Sequence, residues 1–79
     1  MIRTTFTKNN GERTSVSLTN YQHYILRLLA KKDGVRVVDV LRAIDELAQT
    51  QDVINLSEFV RDYIIESLVI IMGEKGIYL

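Results

Sequence analysis

The sequence predicts a mostly α-helical fold with one short β-strand, completed by a second copy of the same chain. Three observations carry this. Residues 13–18, Arg-Thr-Ser-Val-Ser-Leu, alternate polar and apolar with the period of a strand. Three later segments repeat apolar residues at helical spacing, each ended by a turn or breaker. At 79 residues, with no cysteine, the chain is short for a self-sufficient core. Disulfides and thiolate metal sites are excluded. One histidine and no ligand-spaced cluster of His, Asp and Glu argue against a metal, so no metal and no cofactor is expected. Association remains as the source of stability.

Residues 1–12 read as a flexible polar arm. Lys8-Asn9-Asn10-Gly11 is a turn signal that would suit a hairpin. The Thr-rich residues before it specify register weakly, which favours the arm. In the strand that follows, Thr14, Val16 and Leu18 face a core, whereas Arg13, Ser15 and Ser17 face outward. The strand has no partner in the chain if the arm is free, so it is expected to pair with its own copy.

The first helix starts at Thr19. Thr19-x-x-Gln22 is a capping box, Tyr21, Ile25, Leu28 and Leu29 form the apolar stripe, and Gly34 supplies the left-handed stop. The second helix covers about Arg36–Gln49, with Val37, Val40, Leu41, Ile44, Leu47 and Ala48 as its stripe. No Ser, Thr, Asn or Asp stands at its cap, which leaves N–H groups between Arg36 and Val38 free for another acceptor. Phosphate and water both qualify. The third helix opens on Asn55-x-x-Glu58, with Ile54 and Phe59 placed to close a hydrophobic staple, and Gly73 ends it. Its stretch from Leu68 to Met72 is apolar all round, too short to span a bilayer, and expected to be buried against protein.

The overall charge is zero but divided. Residues 1–36 hold seven Lys and Arg against two carboxylates, and residues 37–79 hold three against eight. The basic half suits phosphate, and the acidic half suits solvent or a basic protein surface. No phosphate loop, nucleophile elbow or metal motif occurs, so an enzyme is not expected. His23 reads as a surface or boundary residue, and Asp45 and Glu46 read as a solvated pair. Glu58, Asp62 and Glu66 make one acidic stripe, solvent-facing or a docking edge for a basic partner. The polar N-terminus lacks the apolar run of a signal peptide, which points to the cytoplasm.

The order of these elements resembles a known family. Arg13-Thr14-Ser15-Val16-Ser17-Leu18, Thr19 as cap, Leu29 to Val35 as helix and turn, and Val40 to Ile44 in the second helix look like ribbon-helix-helix DNA-binding proteins, the Arc and MetJ type of repressor. The resemblance implies an intertwined homodimer whose paired strands enter the major groove of double-stranded DNA, with an additional C-terminal helix here. It assigns base contacts to Arg13, Ser15 and Ser17. Phosphate contacts fall to the Val37 and Val38 amides at the start of the second helix, with Arg36, and to Arg3 and Lys8 on the arm. The expected dimer core is Val16, Leu18, Ile25, Leu28, Leu29, Val40, Leu41 and Ile44. Phe59, Tyr63, Ile64, Leu68, Ile71 and Met72 are expected to meet another copy, as a dimer of dimers, or a basic protein partner. Val37-Val38 stands where the family often has a serine, and Asp39 would repel a nearby phosphate. The expected organisation is an arm over 1–12, the DNA-binding unit over 13–49 and a C-terminal helix and tail over 50–79. The expected function is transcriptional repression or organisation of a DNA site. The alternatives are an antitoxin-like adaptor, whose acidic half binds protein, and a structural helical oligomer.

Overall fold

The computed structural model describes residues 1–76. The elements run β1 (Ile2–Thr7), β2 (Arg13–Leu18), α1 (Asn20–Asp33), α2 (Val37–Gln49) and α3 (Leu56–Glu74). The mostly helical fold with three helices, the last an addition at the C-terminal side, is as expected, and a second strand joins the expected one.

The difference lies in residues 1–12. They are not a free arm: β1 pairs antiparallel with β2, Ile2 opposite Leu18 and Thr7 opposite Arg13. The turn between them follows the Asn-Asn-Gly signal. The Gly11 N–H donates to the Lys8 carbonyl at 3.0 Å, and Gly11 takes φ +91°, where a side chain would be strained. The Lys8 N–H then donates to the Glu12 carbonyl at 2.7 Å and starts the ladder. Register is set by the inner face, where Phe6 joins Val16 and Leu18 in the core. It is set also by the hairpin tip, which docks on α2. Arg42 Nε donates to the Thr7 carbonyl at 2.7 Å, Lys8 Nζ lies 3.6 Å from Asp45 Oδ1, and Asn9 donates to Glu46. Asp45 is therefore buried, 3% exposed, and accepts from Gln49 Nε2 at 2.8 Å. The solvated pair expected at Asp45 and Glu46 is an anchor for the hairpin.

The helix boundaries follow local chemistry. Thr19 Oγ1 accepts from the Gln22 N–H, and Gln22 Oε1 accepts from the Thr19 N–H. Gly34 closes α1 at φ +68° with its N–H on the Ala30 and Lys31 carbonyls. Asn55 Oδ1 caps α3 through the Glu58 N–H. Ile54 is fully exposed, so the expected staple with Phe59 does not close. The helix also runs through Gly73 to Glu74, one residue past the expected stop.

One core joins all five elements: Phe6 from β1, Val16 and Leu18 from β2, Ile25 and Leu26 from α1, Leu41 and Ile44 from α2, Val60 and Ile64 from α3. Five of the residues expected to form a dimer core, Val16, Leu18, Ile25, Leu41 and Ile44, are thus buried within one chain. Leu29 and Val40 are half-buried against them. Leu28 and Tyr21 are exposed instead, because α1 turns Ile25, Leu26, Leu29 and Ala30 inward. Ile64, expected to meet a partner, is fully buried in this core. Leu68, Ile71 and Met72 are half-buried, while Val69 and Ile70 are exposed, so the apolar end of α3 is only partly covered by its own chain.

Candidate nucleic-acid interface

The outer face of the β-hairpin is entirely polar. Strand alternation turns Ile2, Thr4, Phe6, Thr14, Val16 and Leu18 toward the helices, and leaves Arg3, Thr5, Thr7, Arg13, Ser15 and Ser17 on the other side. Across the strands Arg3 stands opposite Ser17, Thr5 opposite Ser15 and Thr7 opposite Arg13. Thr5 Oγ1 and Ser15 Oγ are 2.9 Å apart and hydrogen-bonded. The face is a row of hydroxyls with an arginine at each of two diagonal corners. Both arginines are exposed and neither makes an ion pair among the described residues. All three expected base contacts, Arg13, Ser15 and Ser17, share this face, and Arg3 joins them. The β1 residues Thr5 and Thr7 are additions. Their signal in the sequence was the Thr4-Thr5-Phe6-Thr7 alternation, which becomes legible only once the hairpin is accepted.

The free edge of β2 follows from the ladder. The Lys8–Glu12 bond places the pairs 6/14, 4/16 and 2/18 in hydrogen-bonded register, since such pairs alternate along an antiparallel ladder. The backbone groups of Arg13, Ser15 and Ser17 therefore point away from β1. One of them is already held: the Ser17 N–H donates to Ser57 Oγ, on the first turn of α3, at 3.0 Å. The edge is open at Arg13 and Ser15.

The expected phosphate contacts separate. Lys8 does not lie on the ribbon's outer face; its ammonium is engaged by Asp45 at the hairpin tip. At the start of α2, Asp39 reaches back to its own turn. Its carboxylate accepts from the Arg36 N–H at 3.0 Å, from Arg36 Nε at 3.1 Å and from Arg36 Nη2 at 3.2 Å. The Arg36 N–H is therefore not free, contrary to the sequence expectation, and its guanidinium is neutralised by the same carboxylate. The hydrogen bond from the Arg36 side chain, followed by that from its backbone, holds the Asp39 pKa below the ordinary carboxylate value. The pairing raises that of Arg36. At Val37 and Val38 the helix geometry leaves N–H groups without an intrahelical acceptor, but they sit beside this carboxylate. No group of three or more His, Cys, Asp or Glu that could hold a metal occurs among the described residues. None of the helices described is long and apolar enough to cross a membrane.

A family profile described as a ribbon-helix-helix domain matches residues 8–68, well over half of the chain. The match begins at the hairpin turn, takes in β2, α1 and α2, and continues through two-thirds of α3. It thus extends beyond the unit on which the sequence resemblance rests, and α3 falls largely inside it. No curated protein and no solved structure matches the chain.

Proposed function

The chain belongs to the ribbon-helix-helix domain family, and we propose that it is a sequence-specific DNA-binding transcriptional regulator. It acts as a repressor or organiser of a DNA site and reads the major groove with the outer face of its ribbon. Members of the family are DNA-binding regulators that form dimers. The observation that carries the reading here is the segregation of the hairpin: one face in the core, the other a continuous row of hydroxyls and two arginines without an ion pair among the described residues.

The functional unit is a homodimer in which the open edges of two β2 strands pair. The sheet is then four strands wide, in the order β1, β2, β2 of the partner, β1 of the partner. Strands lie about 4.8 Å apart, and the major groove is about 12 Å wide. The two central strands fit between the groove walls, and each β1 falls roughly 7 Å from the dyad, at a wall. This sorts the arginines. Arg13, with Ser15 and Ser17, meets base edges, where an arginine forks onto guanine O6 and N7. Arg3, one strand further out, meets the phosphates. Lys8 and Arg36 are committed to carboxylates of their own chain and contribute little.

The experiment is selection of bound duplexes from a random pool, then titration of the selected and a scrambled duplex over a range of salt. Arg13→Ala is expected to cost about 1–3 kcal/mol on the selected duplex and little on the scrambled one. Arg3→Ala is expected to weaken both alike and flatten the salt dependence. A pool that yields no consensus, or an Arg13→Ala loss equal on both duplexes, would remove the base-reading role.

A further inference from the structure

We propose that α1 of one copy docks in the groove between α2 and α3 of another, so that basic units of the protein associate head to tail. The groove is lined by apolar side chains, Leu47 on α2 and Phe59, Tyr63 and Ile70 on α3, together with the carboxylates of Asp62 and Glu66 and the polar Gln51 and Ser67. Leu47 and Ile70 are among the exposed large hydrophobic residues of the chain. Glu58, Asp62 and Glu66 follow one another at intervals of a turn, an arrangement that is self-repelling on an isolated helix. Among the described residues none of the three is in an ion pair.

The complement to this groove is on the same chain. The outer side of α1 carries Tyr21, Tyr24 and Leu28, 68%, 49% and 46% exposed. Arg27 and Lys31 run beside them, exposed and without an ion-pair partner among the described residues; the Arg27 guanidinium lies 5.9 Å over the Tyr24 ring. The two surfaces match in chemistry and in scale. From Tyr21 to Lys31 and from Phe59 to Ile70 each face extends about 15–17 Å along its helix. Arg27 and Lys31 stand one turn apart, as do Asp62 and Glu66, about 6 Å in each case. Each surface is thus an apolar strip edged by two charges at the same spacing and of opposite sign. A chain of zero net charge with its basic and acidic groups segregated favours such association over repulsion. The groove of one copy cannot be the α1 face of the same contact, so the interface is heterologous and each unit offers both halves of it. On DNA the consequence is cooperative occupation of neighbouring sites. The contact itself needs no DNA, so it stands or falls independently of the DNA-binding reading.

Sedimentation velocity on the full chain without DNA tests it. The wild-type protein is expected to grow in size with concentration beyond its basic unit at low salt and to revert at high salt. Asp62→Lys with Glu66→Lys, and separately Arg27→Glu with Lys31→Glu, are each expected to weaken this association roughly tenfold or more. An equal mixture of the two reversed proteins restores it, because each groove again meets an oppositely charged α1. Circular dichroism melts check that both are folded; if either is not, the neutral pairs Asp62→Asn with Glu66→Gln and Arg27→Gln with Lys31→Gln replace them, with weaker association expected. Three results would overturn the proposal: a wild-type protein of one size at all concentrations, reversed proteins that associate as the wild type does, or a mixture that stays as small as its components.

Discussion

Removing the Lys8 ammonium leaves the Asp45 carboxylate buried with only the Gln49 amide to satisfy it. Uncompensated burial of a polar or charged group costs about 1–3 kcal/mol or more. Lys8→Ala is therefore expected to lower the melting temperature clearly while leaving the salt dependence of DNA binding nearly unchanged. A variant of wild-type stability with weakened binding to all sequences would return Lys8 to the phosphate-contacting group. Asp39 has the opposite character. It is only half-buried and its partner Arg36 is exposed, so their bond adds little to stability. With its pKa lowered by Arg36, that small contribution is complete above the ordinary carboxylate range near pH 4. It is lost as pH falls through the depressed folded value. The larger effect belongs to binding. Asp39→Asn removes a negative charge from the start of α2 and releases the Arg36 guanidinium. If that helix start faces the DNA backbone, affinity rises for specific and random duplexes alike and the salt dependence steepens. Unchanged affinity on both would turn the start of α2 to solvent.

At the scale of elements, β2 and the three helices were legible in the sequence and β1 was not. The legible elements are determined within a few residues: Thr19 and Gln22 cap one another, Gly34 takes the left-handed turn, Asn55 caps α3, and Arg13–Leu18 alternates cleanly. The hairpin depends on partners more than thirty residues away. Its turn signal is local, but its register is held by Arg42, Asp45 and Glu46 on α2 and by Phe6 in a core that α3 completes. The inward face of α1 differs from the periodic stripe for the same reason: tertiary contacts bury Leu26 and Ala30, whereas helical spacing alone admits Tyr21 and Leu28, which are exposed. The contact between β2 and α3 has its own consequence. Ser57 Oγ satisfies the Ser17 N–H within a chain, whereas in a strand-paired dimer a partner carbonyl can do so. Ser57→Ala is thus expected to raise the free energy of the single chain by about 0.5–1.5 kcal/mol and of the dimer by less. Dimerisation measured by dilution should tighten several-fold. Dimer affinity that weakens instead would mean that Ser57 supports the paired arrangement.

For the whole molecule, the fold divides its chemistry between two ends of the sequence. Among the described residues, Arg3, Arg13, Arg27, Lys31 and Lys32 on the hairpin and α1 stand outside any ion pair, as do Glu58, Asp62 and Glu66 on α3 with Arg61 among them, while the paired charges lie at the hairpin tip and the start of α2. The ribbon's outer face is the surface on which the functional account rests, and its groove preference is directly measurable. A selected duplex is methylated sparsely and the bound and free fractions are compared base by base. Methyl groups on guanine N7 lie in the major groove and those on adenine N3 in the minor groove. N7 methylation at one or two guanines per half-site is expected to exclude the protein, Arg13→Ala to abolish this sensitivity, and N3 methylation to have no effect. Exclusion by adenine N3 methylation, with guanine N7 methylation tolerated throughout, would contradict major-groove reading by the ribbon.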